Sequence, residues 1–69
     1  MMAQYRVLYT INYKNGDASR KLTETVDAPD KDSICAAVLK LEQEREHYCP
    51  VESVKVITAT CLDSETFLR

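Results

Sequence analysis

Glycine, proline and tryptophan are scarce in this chain, which has one Gly, two Pro and no Trp. A single glycine leaves no material for a phosphate-cradling loop, and so few glycines and prolines exclude a flexible linker or a low-complexity tract. No apolar run approaches the length of a membrane span, and the N-terminus lacks the apolar core of a signal peptide. The 69 residues are therefore predicted to form one domain, 1–69, near the lower size limit for a single core.

An excess of charge of one sign is also missing. Nine Lys and Arg side chains stand against eleven Asp and Glu, which gives a net charge of −2. This balance does not indicate the basic surface of a duplex-binding domain.

Three cysteines, an odd number without a signal peptide, favour reduced thiols and a cytoplasmic location.

The most strand-like stretch is residues 4–13, in which stronger apolar positions alternate with more polar ones. This period of two predicts a half-buried strand at the centre of a sheet. The stronger face consists of Tyr5, Val7, Tyr9, Ile11 and Tyr13. The pair Asn15-Gly16 then predicts a two-residue type I′ turn, which leads into a second strand at 19–27 within a hairpin at 4–27.

A two-residue turn also predicts the register of this hairpin. The expected pairs are Tyr5 with Val26, Tyr9 with Leu22, Tyr13 with Ala18, Leu8 with Thr23, Thr10 with Lys21 and Arg6 with Thr25. A slip by one residue would place Leu22 and Val26 opposite the polar set, so the turn and the pattern agree.

A helix is predicted over 31–48, with Asp30 as its N-cap and the Cys49-Pro50 pair ending it. Its apolar stripe is Ile34, Val38, Leu41 and Tyr48, whereas Glu42, Glu44, Glu46 and His47 are expected to be solvated. A third strand follows at 51–62, and residues 63–69 form a short tail.

The third strand has two largely apolar or β-branched faces. The pattern favours Val54 and Val56 toward the helix, with Val51 closing the core, and leaves the opposite orientation open. The element order predicts an α+β fold, β-β-α-β, with a three-stranded antiparallel sheet in the order 2-1-3 and one helix on one face.

Catalytic and metal chemistry are not indicated. His47 and Cys49 lack the spacing of a zinc motif, and two residues apart on a helix they would point to nearly opposite sides. We therefore expect no enzyme, no metal and no cofactor. Redox sensing by Cys35, Cys49 or Cys61 is left open, although no electropositive site activates a thiolate.

One face of such a sheet is not covered by the helix, and it is the predicted interaction surface. Its candidate residues are Leu8, Thr10, Thr23, Ile57, Ala59 and Cys61. An apolar patch on this face, together with the edge of the third strand, predicts a non-catalytic protein-binding module that self-associates as a homodimer. Coverage of the patch by Phe67 and Leu68 is the alternative.

A nucleic-acid-binding module is the alternative function. The hairpin carries Arg6, Lys14, Arg20 and Lys21, and basic residues beside aromatic ones can bind a backbone and stack bases. However, the predicted register turns the three hairpin tyrosines toward the helix-covered face, which favours a core role for them.

The pattern of motifs resembles the small ββαβ accessory proteins of phages and prophages. The resemblance rests on the hairpin at 5–16, the helix start at 26–30, the helix segment at 36–39 and the strand at 51–56. It implies a protein that binds a host protein without catalysis. The class shares no site motif, so no functional residue is carried over.

Overall fold

The computed structural model describes residues 2–62. They form β1 (Ala3–Tyr13), β2 (Leu22–Ala28), a 3₁₀ turn (Lys31–Ser33), α1 (Ile34–Gln43) and β3 (Val51–Cys61). The strands make one antiparallel sheet in the order β2-β1-β3, and α1 packs on one of its faces. The predicted α+β fold and strand order are confirmed.

The register of the hairpin is also confirmed along β2. Tyr5 lies opposite Val26, Leu8 opposite Thr23, and Tyr9 opposite Leu22. Because directly opposed residues of an antiparallel pair point to the same face, the odd-numbered side chains of β1 share the helix-covered side. Ala3 at the start of the strand is half-buried, and the other five are buried, namely Tyr5, Val7, Tyr9, Ile11 and Tyr13.

The turn itself differs from the predicted type I′ turn. The Gly16 amide donates to the Tyr13 carbonyl at 3.0 Å, and the Tyr13 amide donates to the Asp17 carbonyl at 2.8 Å, which closes a loop of three residues. Gly16 has φ 94°, and no other residue of the described chain has positive φ. A type I turn followed by a left-handed glycine needs positive φ at only one position, whereas type I′ needs it at two.

An extra residue in the returning chain compensates for the longer turn. The Ser19 amide donates to the Ile11 carbonyl at 2.8 Å, and the Oγ of Ser19 accepts from the Ile11 amide at 2.8 Å. From the Ile11–Ser19 contact to the Tyr9–Leu22 pair, β1 advances by two residues and the returning chain by three. The returning chain therefore contains one extra residue. The predicted pair of Tyr13 with Ala18 is therefore wrong, because Ala18 lies opposite Asn12, but the register recovers where Leu22 and Val26 must face the core.

β3 is interrupted by two bulges against β1. The register shifts once between Leu8 and Tyr9 and again between Asn12 and Tyr13. These shifts leave Ile57 and Glu52 without a direct partner on β1. Each bulge reverses the alternation, so that five positions of β3 lie opposite core residues of β1: Val51, Val54, Val56, Ala59 and Cys61.

The helix is shorter than predicted and ends at Gln43 instead of Tyr48. It also begins later than predicted, at Ile34, because Lys31–Ser33 form a 3₁₀ turn; Asp30 caps that turn, since its carboxylate oxygen accepts from the Ser33 amide at 3.0 Å. Ile34 and Val38 face the sheet and are buried. The chain leaves the helix early because His47 returns to bond Glu42. On a continuous helix five residues turn through about 500°, which would place the two on different sides.

Candidate functional site

The sheet face that α1 does not cover is mainly polar. Leu8 lies there between Thr23 on β2 and Thr58 on β3, and Thr10 lies beside it opposite Lys55. Leu8 and Thr10 are half-buried and Thr23 is exposed, as the alternation of β1 predicts. Within residues 2–62 no element packs over this face. The suggested covering residues, Phe67 and Leu68, lie outside the described part.

Two of the predicted interface residues lie on the opposite face. Ala59 is opposite Val7 and Cys61 is opposite Tyr5, and both pack against the core under the helix. Their placement on the open face was wrong because the bulge at Ile57 shifts the alternation by one residue. The open face therefore lacks the expected apolar pair and carries Leu8 among threonines.

Ile57 is the most exposed aliphatic side chain of the sheet, with 40% of its surface accessible. It stands at the bulge of β3, which is an edge strand of 11 residues. The outer edge of β3 pairs with no other strand within the described range. Glu52 and Lys55 are the only charged residues of this strand. β3 therefore presents a long edge with little charge to oppose pairing.

A polar cluster that the sequence did not indicate lies at the C-terminal end of α1. Glu42, predicted to be solvated, is only 1% exposed. Its carboxylate accepts a hydrogen bond from the Tyr9 hydroxyl, lies 3.1 Å from Nε2 of His47, and lies 3.4 Å from Nη1 of Arg45. Arg45 also bonds Glu24 of β2 at 3.0 Å. The buried carboxylate thus ties β1 and the loop after α1 to one point.

The helix period contained a signal for this position. Glu42 follows Ile34 and Val38 at intervals of four residues, so it lies on the buried face of α1. The identity of its partners had no such signal, because His47 and Arg45 reach it from a non-helical segment. Burial, followed by the hydrogen bond to Glu42, raises the pKa of the Tyr9 hydroxyl well above its usual range.

His47 is held at both ring nitrogens. Nε2 lies 3.1 Å from Glu42, and Nδ1 lies 3.2 Å from the hydroxyl of Tyr13. Its side chain is only 17% exposed, so the prediction of a solvated histidine was wrong. Tyr48, predicted on the apolar stripe, is instead 76% exposed, and its hydroxyl donates to Asp17 at 2.9 Å.

A cleft of about 320 Å³ opens beside this cluster. It is lined by Glu42, Gln43, Arg45, His47, Cys49, Pro50 and Val51. A nucleophile and base would require Cys49 and a free nitrogen of His47, but both nitrogens are already engaged. His47 and Cys49 were predicted to point to opposite sides of a helix, which is wrong because neither residue lies in α1. Both ring nitrogens of His47 therefore take part in hydrogen bonds that link the loop after α1 to β1 and to the helix.

The cysteines are dispersed over the structure. Cys35 is exposed on α1 with its thiol 3.7 Å from the Val54 carbonyl, whereas Cys49 and Cys61 are half-buried. No three Cys, His, Asp or Glu side chains converge as metal ligands among the described residues.

The basic residues of the hairpin are exposed, namely Arg6, Lys14, Arg20 and Lys21. The tyrosines that would stack bases are not, since Tyr5, Tyr9 and Tyr13 are buried in the core. The three hairpin tyrosines therefore give the basic residues no stacking surface, and the exposed aromatic side chain beside the turn is Tyr48, whose hydroxyl donates to Asp17.

Comparison with known proteins found no matching family model, no matching curated protein and no matching solved structure. Within residues 2–62 no helix has the length and apolar character needed to cross a membrane.

Proposed function

We propose that this protein is a non-catalytic protein-binding module that self-associates through the outer edge of β3. The observation that carries the proposal is the outer edge of β3, with which no other strand of residues 2–62 pairs, and the exposed Ile57 near the middle of that strand. Unpaired N–H and C=O groups along such an edge are a template for another strand.

Pairing of β3 with β3 of a second copy would be antiparallel and isologous, because a two-fold axis relates the strands. The two three-stranded sheets would then form one continuous sheet. The uncharged stretch 56–61 favours this contact, since like charges directly opposite each other on two strands are destabilising. Ile57 of each copy would lie near the axis and lose its exposed surface to the contact.

We expect the open face, which is mainly polar, to contribute less to this contact than the sequence indicated. Leu8 has only threonines beside it on the neighbouring strands, which gives no extended apolar patch. A strand of a different protein could use the same edge of β3 by the same chemistry. The resemblance to phage and prophage accessory proteins makes a host protein the second partner to test.

The first test compares charge substitutions at the two edges of the sheet by sedimentation equilibrium over a concentration series. We expect Ile57→Asp to shift the protein to monomer, whereas Thr23→Asp on β2 leaves the dimer intact. Far-ultraviolet circular dichroism verifies that both variants are folded. A monomeric parent protein at every concentration, or a dimer that survives Ile57→Asp, would refute the proposed contact.

A second pair of variants separates the outer edge from the inner ladder. Hydrogen bonds in an antiparallel ladder alternate, so only one of the adjacent amides of Ala59 and Thr60 points toward β1. Of Ala59→Pro and Thr60→Pro, one should lower the melting temperature. The other should leave the fold largely intact and abolish the dimer. If the better-folded variant still dimerises, the edge of β3 is not the interface.

A further inference from the structure

The second edge of the sheet borders a groove that the polar cluster and β3 do not touch. It lies between β2 and α1, has a volume of about 440 Å³, and is open to solvent. It is lined by Met2, Thr25, Val26, Asp27, Pro29, Ala37, Lys40, Leu41 and Glu44. The helix contributes positions 37, 40, 41 and 44, which share one face because they are spaced by three and four residues.

The floor of the groove is apolar and its rim is charged. Val26, Ala37 and Leu41 provide aliphatic surface, and the small Ala37 leaves depth between the helix and the strand. Asp27, Lys40 and Glu44 form no ion pair with the described residues. Their net charge is negative, so a positively charged ligand complements the rim.

The groove runs beside an unpaired strand edge. β2 is the outer strand on its side of the sheet, and no backbone segment within residues 2–62 pairs with its outer edge. An edge strand next to a helix combines main-chain hydrogen-bonding groups with a pocket for a side chain. This is the physical basis of strand-addition recognition, in which the main chain supplies affinity and the pocket supplies specificity.

We propose that this groove binds an extended peptide segment of a partner protein. The segment adds as a fourth strand to the outer edge of β2 and inserts a Leu or Phe side chain against Val26, Ala37 and Leu41. A basic residue directly beside this anchor points to the opposite face of the added strand, where it meets Asp27, because the neighbouring Val26 faces the helix. The proposal concerns a second partner and a second edge, so self-association through β3 leaves the groove accessible.

The test uses the full chain, labelled with ¹⁵N, and acetylated peptides of the form Thr-Val-Arg-X-Arg-Val-Thr with X as Phe, Leu or Ser. Titration followed by amide chemical shifts should give saturable changes in Thr25–Asp27 and in Ala37–Glu44. Phe and Leu peptides should bind at least tenfold more tightly than the Ser peptide, and replacing both Arg by Glu should weaken binding. Absence of shifts with all of these peptides, or shifts confined to β3, would overturn the proposal.

Matched helix variants locate the anchor. Ala37→Leu fills the groove and should reduce the affinity for the Phe peptide at least tenfold. Ala36→Leu makes the same change at an exposed neighbouring position and should leave that affinity unchanged. Equal binding by both variants would refute the assigned pocket.

Two other occupants would show themselves in the same spectra. If dilution of the peptide-free protein moves the groove signals, a second copy occupies the groove. If the double substitution Phe67→Ser with Leu68→Ser moves those signals without peptide, residues of this chain occupy it. Either result would overturn the partner-peptide proposal, and neither depends on the oligomeric state set by β3.

Discussion

Replacement of Glu42 tests the role of the buried polar cluster. Glu42→Leu removes a carboxylate that is 1% exposed and that serves Tyr9, His47 and Arg45. The Tyr9 hydroxyl then has no acceptor in a fully buried position, which costs about 1–3 kcal/mol. His47 retains its hydrogen bond with the Tyr13 hydroxyl and is 17% exposed, so the loss of its hydrogen bond to Glu42 adds about 1 kcal/mol. The exposed Arg45 retains its ion pair with Glu24, so the loss of its contact with Glu42 adds little to the free-energy cost.

The expected loss of about 2–4 kcal/mol is large for this chain. A domain of 69 residues has a free energy of unfolding of about 3–10 kcal/mol at about 0.05–0.15 kcal/mol per residue. We therefore expect Glu42→Leu to shift the urea midpoint strongly at neutral pH, as followed by circular dichroism. Glu46→Leu removes an exposed carboxylate nearby and should stay within about 0.5 kcal/mol of the parent.

The double substitution distinguishes an unsatisfied hydroxyl from a general loss of packing. Tyr9→Phe in the Glu42→Leu background removes the orphaned hydroxyl and should restore about 1 kcal/mol, although Tyr9→Phe alone is destabilising. A double variant whose cost equals the sum of the single costs within about 0.5 kcal/mol would show that the Tyr9 hydroxyl and the Glu42 carboxylate act independently, because independent sites are additive.

Two further predictions concern Tyr9 and the hairpin turn. The folded-state pKa of Tyr9 is raised by burial and then by Glu42, so its stabilisation is complete below about pH 10 and is lost above it. Above about pH 10 the free energy of unfolding should therefore fall by up to about 1.4 kcal/mol per pH unit. Tyr9→Phe should remove the contribution of Tyr9 to this slope. Identical slopes for the parent protein and Tyr9→Phe would contradict the prediction. Gly16→Ala should cost about 1 kcal/mol through its φ of 94° alone, because a Cβ there meets nothing within 4 Å. Gly16→Asn should cost less and Lys14→Ala almost nothing in the same denaturation assay, whereas equal costs for all three would show that the turn is not conformationally restricted.

The alternation of β1 could be predicted because one rule governed all of it. Five odd-numbered side chains are apolar or aromatic, and each of them is buried. The turn was predicted with the wrong type, but Leu22 and Val26 still reached their partners. Burial of these two residues outweighs local turn geometry, since a register slip would expose the apolar set.

β3 could not be predicted in the same way. Its sequence has apolar residues at both odd and even positions, and a bulge at Ile57 decides which of them turn toward α1. No local signal marks that bulge, because its position depends on the pairing with β1. Two of the six candidate interface residues, Ala59 and Cys61, were misplaced for this reason, whereas Leu8, Thr10 and Thr23 lie on the predicted face.

By itself the sequence determined the elements, their order and the hairpin register along β2, because these follow from the periodicity of the apolar residues. Only the tertiary structure decided that β3 changes face at Ile57, that α1 ends at Gln43, and that Glu42 is buried with His47. Each of these depends on a partner distant along the chain. A bulge, a helix end and a buried carboxylate are stable only where packing and hydrogen bonds from elsewhere offset their local cost.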